Sequence, residues 1–375
     1  MLASDRVSKA SASMLILLFV AGLLVGGLLI YYVSYRQTSN LGSQIADLQN
    51  QVSSLQGNVT YQQITILQNG TSLTELYDNI KDSVVLIQGE TSDSTVQGSG
   101  FVYYFANRYV ILTNNHVVDD TTSLSVTFSD GKGYAATVLG RDPYADLAVL
   151  SISGNHELKP VTIVGSSTLA VGEAVIAIGN PYGLVGSMTT GVVSATGRSI
   201  VEDTAGGYSI ANVIQTSTPI NPGNSGGLLL NSLGNVIGIT TAIVSDSQGL
   251  GFAIPSNTIL RELSSLINTG TYTGHSYLGV TGTDMSYSLA QETGASVTYG
   301  WRLASIVRGG PSDGKLTVDD IIIGMNNQTI RNNDDLASYL EEHTLPGDII
   351  DITVMRNNEQ IPAVQVTLGT RPAPT

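Results

Sequence analysis

The segment Ile220–Asn231 reads INPGNSGGLLLN and sets Ser225 among Pro, Asn and Gly residues, directly ahead of an apolar run. A serine hydroxyl becomes a nucleophile when a base lies within hydrogen-bond reach and an acid orients that base. Without both partners, NSGG is an ordinary tight turn filled by a small polar residue. The chain has four histidines that could supply the base. His156, His275 and His343 stand in polar contexts (GNHELK, TGHS, EEHT) that suit solvated side chains. His116 instead follows the apolar run YVILT, where a scaffold can hold an imidazole rigidly, although a purely structural histidine fits there too.

The orienting acid has to be partly buried, and a lone buried carboxylate costs several kcal/mol, so it needs a partner. Asp146 in YADLAVLSI reads as a carboxylate inside an apolar strand. Asp142, just before Pro143, fits a turn or capping role better. Asp119 and Asp120 lie too close to His116 along the chain to be preferred. The resulting order His116, Asp146, Ser225 is the one chymotrypsin-like enzymes use.

The elements that must position these residues read as mainly β. Gly is abundant at 41, and Val, Ile and Thr recur in short runs: VVLIQGE, GSGFVYYF, RYVILT, SLSVTF, LAVLSI, AVIAIG and NVIGITTAIV. Such closely spaced runs between about Ser72 and Thr269 predict a Greek-key barrel or sandwich, or two of them. SNTILRELSSL reads as a helix capped by Ser256, and TGTYTGHS as a linker. Beyond it lies a smaller mixed unit, with IIIGMN and IDITVMR as strands and NNDDLASYLEEH as a capped helix.

Composition excludes several classes. A net charge of −14 with only 16 Lys+Arg argues against nucleic acid, because phosphate binding needs clustered basic residues. The absence of Cys removes disulfides, thiolate nucleophiles and zinc–thiolate sites, and no spacing implies any metal or organic cofactor.

Met14–Val33 carries no charge and has the length of about 20 residues that a helix needs to span hydrocarbon. YYVSYRQ follows where a cleaved signal would show a small-residue site, so an uncleaved anchor is favoured. Arg6 and Lys9 precede the span, which places residues 1–13 in the cytoplasm and everything after Val33 outside. Gly22 and Gly26 form a GxxxG, a candidate packing face. Leu41, Ile45, Leu48, Val52, Leu55 and Val59 then follow heptad spacing, so residues 34–70 read as a short coiled-coil stalk whose pattern nominally favours dimers. Asn58, Asn69 and Asn327 lie in N-x-T sequons.

TNNHVV, DLAVL, GNPYGL, TGVVSATGR, INPGNSGG and GFAIP together resemble the HtrA/Deg family of serine proteases. The resemblance implies a pair of six-stranded β-barrels over residues 71–270, with His116, Asp146 and Ser225 as the triad in the cleft. Gly223, Asn224 and Ser225 then form the oxyanion turn, where the amides of Gly223 and Ser225 converge. Asn224 replaces the Asp that digestive-type relatives pair with a new N-terminus, so loop rearrangement of Leu184–Thr190 and Ile200–Ala211 replaces zymogen cleavage. Ser217-Thr218-Pro219 and Leu228 depart from the usual family pattern. Ile220, Ala242 and Ile243 would wall an uncharged primary pocket. Residues 271–375 resemble a PDZ domain, with Tyr277, Leu278, Gly279 and Val280 as its carboxylate-binding loop. Implied partners are unfolded polypeptides, peptide C-termini, the membrane through one helix, and two further copies in a homotrimer. The function implied is extracytoplasmic protein quality control or a stress response. A non-proteolytic chaperone or peptide-binding scaffold is the alternative; an esterase would need a G-x-S-x-G elbow that is absent.

Overall fold

The computed structural model describes residues 26–29, 31–37, 44, 72–154, 158–180, 186–202, 208–241 and 250–373. The chain divides into units Met1–Ile66 and Leu67–Thr375. The expected span and stalk lie outside the described residues except for 26–29, 31–37 and 44, which are helical. No helix among the described residues is long and apolar enough to cross a membrane.

Two closed six-stranded barrels dominate the second unit. The first comprises β1 (Val84–Glu90), β2 (Thr95–Phe105), β3 (Arg108–Thr113), β4 (Ser123–Thr127), β5 (Gly133–Asp142) and β6 (Leu147–Ile152), in the order β1-β2-β3-β6-β5-β4. The second comprises β7 (Ala174–Gly179), β8 (Ser187–Glu202), β9 (Tyr208–Thr216), β10 (Leu228–Asn231), β11 (Val236–Thr241) and β12 (Gly251–Pro255), in the order β10-β11-β12-β9-β8-β7. The two-residue period of a strand explains how they are filled. Val102, Ile111, Ala148 and Leu150 fill the first barrel, and Val175, Ala177, Leu229 and Ala253 fill the second. Their neighbours Phe101, Leu112, Leu147, Val149, Ile176, Ile178, Leu228 and Leu230 point the other way and merge into one cluster between the barrels. Strands buried on both faces read as continuous apolar runs, which is why these segments are legible but do not alternate.

Helix α1 (Leu73–Ile80), capped by Ser72, precedes the first barrel, and Tyr77 OH donates to the Gly186 carbonyl at 2.8 Å. Helix α2 (Ser256–Thr269) packs Ile259, Leu263, Leu266 and Ile267 on the inter-barrel cluster and ends at Gly270, φ +82°. Ser256 is its first residue rather than its cap. The cap position belongs to Pro255, and Ser256 Oγ donates to the Val164 carbonyl at 2.6 Å. That tertiary acceptor draws the hydroxyl away from the helix's own amides.

The remaining strands are β13 (Ser276–Tyr277), β14 (Val280–Asp284), β15 (Trp301–Ile306), β16 (Ile321–Met325), β17 (Gln328–Thr329), β18 (Ile349–Arg356), β19 (Glu359–Thr367) and β20 (Gly369–Thr370). They form a two-stranded sheet β13-β20 and a larger sheet running β14-β15-β16-β18-β19, with β17 paired to β16. Helices α3 (Tyr287–Thr293) and α4 (Asn333–His343) flank it, the latter capped by Asn332. The core here, from Leu278 to Leu368, shares no member with the barrel cores. The long β8–β9 hairpin leaves its barrel and meets α4. There Ser199 N–H donates to Asp334 at 2.9 Å, and Arg198 pairs with the same carboxylate at 3.2 Å.

Candidate active site

Asp146 is fully buried and is met by four groups. The His116 amide donates to its Oδ1 at 3.0 Å, and His116 Nδ1 faces Oδ2 at 2.9 Å. Thr241 Oγ1, from the second barrel, reaches Oδ2 at 3.3 Å. Asn114 Nδ2 donates to the Asp146 carbonyl at 3.0 Å. The first three of these contacts compensate the desolvation that a lone carboxylate could not bear, and the Asn114 bond fixes the backbone beneath it. Asp146 does not lie inside a strand. Its φ is +50°, a left-handed conformation that Asp tolerates better than most residues, and β6 begins one residue later. With Nδ1 donating to the carboxylate, a neutral His116 ring keeps its lone pair at Nε2, and its side chain is 19% exposed.

Two successive tight turns carry Ser225. Asn224 N–H donates to the Asn221 carbonyl, and Gly227 N–H to the Asn224 carbonyl, both at 2.9 Å. Each turn has a glycine with positive φ in its third position, Gly223 at +94° and Gly226 at +84°, as type II geometry requires. Pro222 sets the second position of the first turn. A Cβ on Gly226 would lie 2.0 Å from the Ser99 carbonyl, so the NSGG motif is fixed by close approach as well as by φ. The turn amide of Asn224 is thereby spent on Asn221, which makes Asn224 a structural member of the expected oxyanion group. The Gly223 N–H donates to no group among the described residues.

Ser99, fully buried in β2, stitches this loop to the first barrel. Its Oγ donates to the Gly223 carbonyl at 2.6 Å and accepts from Asn180 N–H at 2.7 Å, while its N–H donates to the Ser225 carbonyl at 2.7 Å. Thr113 Oγ1 donates to the Ser99 carbonyl at 2.7 Å. Gly98 has the Val117 side chain and the Ser225 carbonyl on one face, so the segments bearing His116 and Ser225 meet at this strand. Sequence reasoning missed Ser99. The signal was a serine between glycines in GSGF, inside an otherwise apolar strand.

Of the expected pocket residues, Ile220 is half-buried beside Gly251, and Ala242 and Ile243 lie outside the described residues. His156 lies outside them as well. His343 is exposed, as its context predicts. Tyr277, Leu278, Gly279 and Val280 border a groove of about 350 Å³ together with Leu336 and Leu340 of α4. Gly279 has φ +73°, its carbonyl accepts from Val307, and the Leu278 carbonyl accepts from Ser312 Oγ at 2.7 Å.

His275 is not solvated, and TGTYTGHS is not a free linker. The ring is 4% exposed between Tyr144 and Tyr272. Its Nε2 meets Asp142 Oδ2 at 2.5 Å and its Nδ1 meets Glu341 Oε2 at 3.0 Å. Burial opposes the imidazolium, but the two carboxylates prevail and push its pKa up to about 10. Glu341 is drawn down to about 2 against its own burial by His275 and Arg261. Glu262 is raised well above the ordinary carboxylate range, first by burial and then by Asp142. Asp142, Glu262 and His275 bring ligand-type atoms within 4.8 Å of one another. With His275 donating to Asp142 at 2.5 Å and Arg261 paired to Glu262 and Glu341, the cluster balances its charge from within. The missed signal was Glu262, a carboxylate on the apolar face that Ile259, Leu263 and Leu266 define.

The profile of the trypsin-like peptidase domain matches residues 98–239. The periplasmic pH-dependent serine endoprotease DegQ of Escherichia coli is 36% identical over 277 residues, 73% of this chain and 59% of DegQ. The serine protease Do-like HtrA of Lactobacillus helveticus is 30% identical over 385 aligned residues, 91% of each chain. The solved structure of the HtrA-type protease AlgW with a tripeptide superposes with a TM-score of 0.65 at 33% identity, covering 81% of this chain and 99% of AlgW. The chain spans 64%, 56% and 59% of the lengths of three curated relatives it matches. A His–Asp pair with a fully buried carboxylate and a doubly turned serine loop, set between two closed barrels and matched along nearly the whole length of a relative, carry one conclusion: the chain belongs to the HtrA family of serine proteases.

Proposed function

We propose that the chain is a serine endopeptidase acting on unfolded or damaged polypeptide outside the cytoplasm. Ser225 is the nucleophile. His116 Nε2 takes its proton and returns it to the leaving amine, and Asp146 holds the ring tautomer and stabilises the imidazolium. The amides of Gly223 and Ser225 stabilise the oxyanion, where losing one such donor typically costs about 2.7–4 kcal/mol. The observation that carries the reading is the Nδ1–Oδ2 contact of 2.9 Å between His116 and a fully buried Asp146, with the Ser225 turn bonded to the adjoining strand.

The C-terminal region acts as a PDZ domain that captures peptide C-termini at Tyr277–Val280. Among the described residues, the Leu278 and Gly279 amides donate to no protein group, which suits carboxylate capture beside an open sheet edge. Met14–Val33 anchors the chain, residues 34–70 form the stalk, and the protein works as a homotrimer. Apolar composition supports the anchor, and the word "periplasmic" in the name of DegQ supports the side of the membrane.

Cleavage of casein by the wild type and by Ser225→Ala tests the enzyme assignment. Turnover should fall on the order of 10⁶-fold in the variant. Equal cleavage by both proteins would leave a binding scaffold.

A further inference from the structure

The turn that presents Asp146, Asp142-Pro143-Tyr144-Ala145-Asp146, is held at its far end by Asn114, His116 and Thr241 on Asp146, while its near end at Asp142 is held by other groups. Asp142 Oδ1 accepts from Tyr144 N–H at 2.9 Å, and Asp146 N–H reaches the Pro143 carbonyl at only 3.4 Å. Further contacts on this turn come from the C-terminal region. His275 Nε2 holds Asp142 Oδ2 at 2.5 Å, Tyr144 OH donates to the Pro372 carbonyl, and the Arg371 guanidinium lies 3.9 Å above the Tyr144 ring. The Tyr144 ring in turn meets the His275 ring edge-on, with centroids 5.4 Å apart. His275 Nδ1 is fixed by Glu341, a residue of α4 that also borders the groove at Tyr277–Val280.

We infer that His275 is a positioning residue for the peptidase reaction: by bridging Glu341 to Asp142 it sets the turn that delivers the Asp146 carboxylate to His116. The inference rests on the peptidase reading above. One carboxylate oxygen of Asp142 takes the His275 bond, only four residues ahead of Asp146. Asp146 sits in a left-handed conformation that its surroundings must hold in place. His275 meets its two carboxylates with both ring nitrogens, as an imidazolium does, so it is a two-ended clamp rather than a packing residue.

The test compares full-length wild type, His275→Ala, His275→Gln and Arg198→Ala. The last removes a distant contact between the same two regions, the Arg198–Asp334 pair. A fluorophosphonate titrates reactive Ser225, so that rates on a chromogenic peptide are expressed per active site across pH. In His275→Ala, kcat per site should fall about 10- to 100-fold while KM stays within about two-fold, because the reacting groups are misplaced rather than the substrate. The acid limb of kcat/KM should also move to lower pH, since a displaced Asp146 stabilises the His116 imidazolium less. His275→Gln, which keeps one amide donor toward Asp142, should recover part of both effects. Arg198→Ala should leave the acid limb in place. Wild-type kcat per site and an unmoved acid limb in the His275 variants would overturn the inference. If His275→Ala yields no titratable sites, His275→Gln decides alone. Turnover retained by Ser225→Ala would instead remove the peptidase reading itself.

Discussion

Ser99 shows how a residue with no chemistry of its own fixes a reactive loop. One hydroxyl and one backbone amide hold the carbonyls of Gly223 and Ser225, and the same hydroxyl receives the Asn180 amide. Ser99→Ala would leave the buried Asn180 amide unpaired, at about 1–3 kcal/mol, and free the half-buried Gly223 carbonyl at a smaller cost. Thermal unfolding of the variant should show that loss, and kcat should drop with KM little changed. Gly226→Ala should be more damaging, because its Cβ would press within 2.0 Å of the Ser99 carbonyl at φ +84°. A loss of about 3 kcal/mol or more, with no active-site labelling, is the expected outcome in chemical denaturation. At this scale the local contexts of His116 and Asp146 pointed to two side chains that the structure brings to 2.9 Å. The sequence was silent on Ser99, since a serine's bonding partners lie more than a hundred residues away in Gly223 and Ser225.

Among the elements, the buried strands were legible from their apolar runs; VVLIQGE, RYVILT, LAVLSI and AVIAIG coincide with β1, β3, β6 and β7. The β8–β9 hairpin escaped notice. SMTTGVVSATGRSIVE is rich in Ser, Thr and Gly, and the register with β9 shifts three times, so no steady two-residue period survives. Asp146 was placed in a strand because its neighbours are apolar. Only the backbone shows the left-handed turn that ends the approach and starts β6. The docking of α2 on β5 depends on a position without a side chain: a Cβ on Gly140 would sit 2.1 Å from the Leu266 carbonyl. Gly140→Ala should therefore push the helix off its strand and cost roughly 1–3 kcal/mol, read as a lower melting temperature.

For the whole molecule, the part of the contact between barrels and C-terminal region built on His275 is ionic and buried, which makes its strength depend on pH. His275 has its pKa raised from 6.5 to about 10, so its contribution is complete below 6.5 and disappears as pH climbs through 10. Glu341 has its pKa lowered from 4.5 to about 2, so its contribution is complete above 4.5 and disappears as pH falls through 2. Glu262 works in the opposite sense to Glu341: its raised pKa favours the neutral carboxyl, so stability declines as pH rises above 4.5 toward ionisation. Urea unfolding across pH should show an alkaline decline that His275→Gln makes shallower, leaving the part that Glu262 contributes. This network was hidden in the sequence because its members come from β5 (Asp142), α2 (Glu262), the segment before β13 (His275) and α4 (Glu341).

The glycine-tight join between Ser99 and Gly226 also decides which parts can shift separately. Where two walls touch without space for a methyl group, neither can press further into the other. Any displacement of the Ser225 loop must then drag the neighbouring strand with it, because one hydroxyl is shared between Gly223 and Asn180.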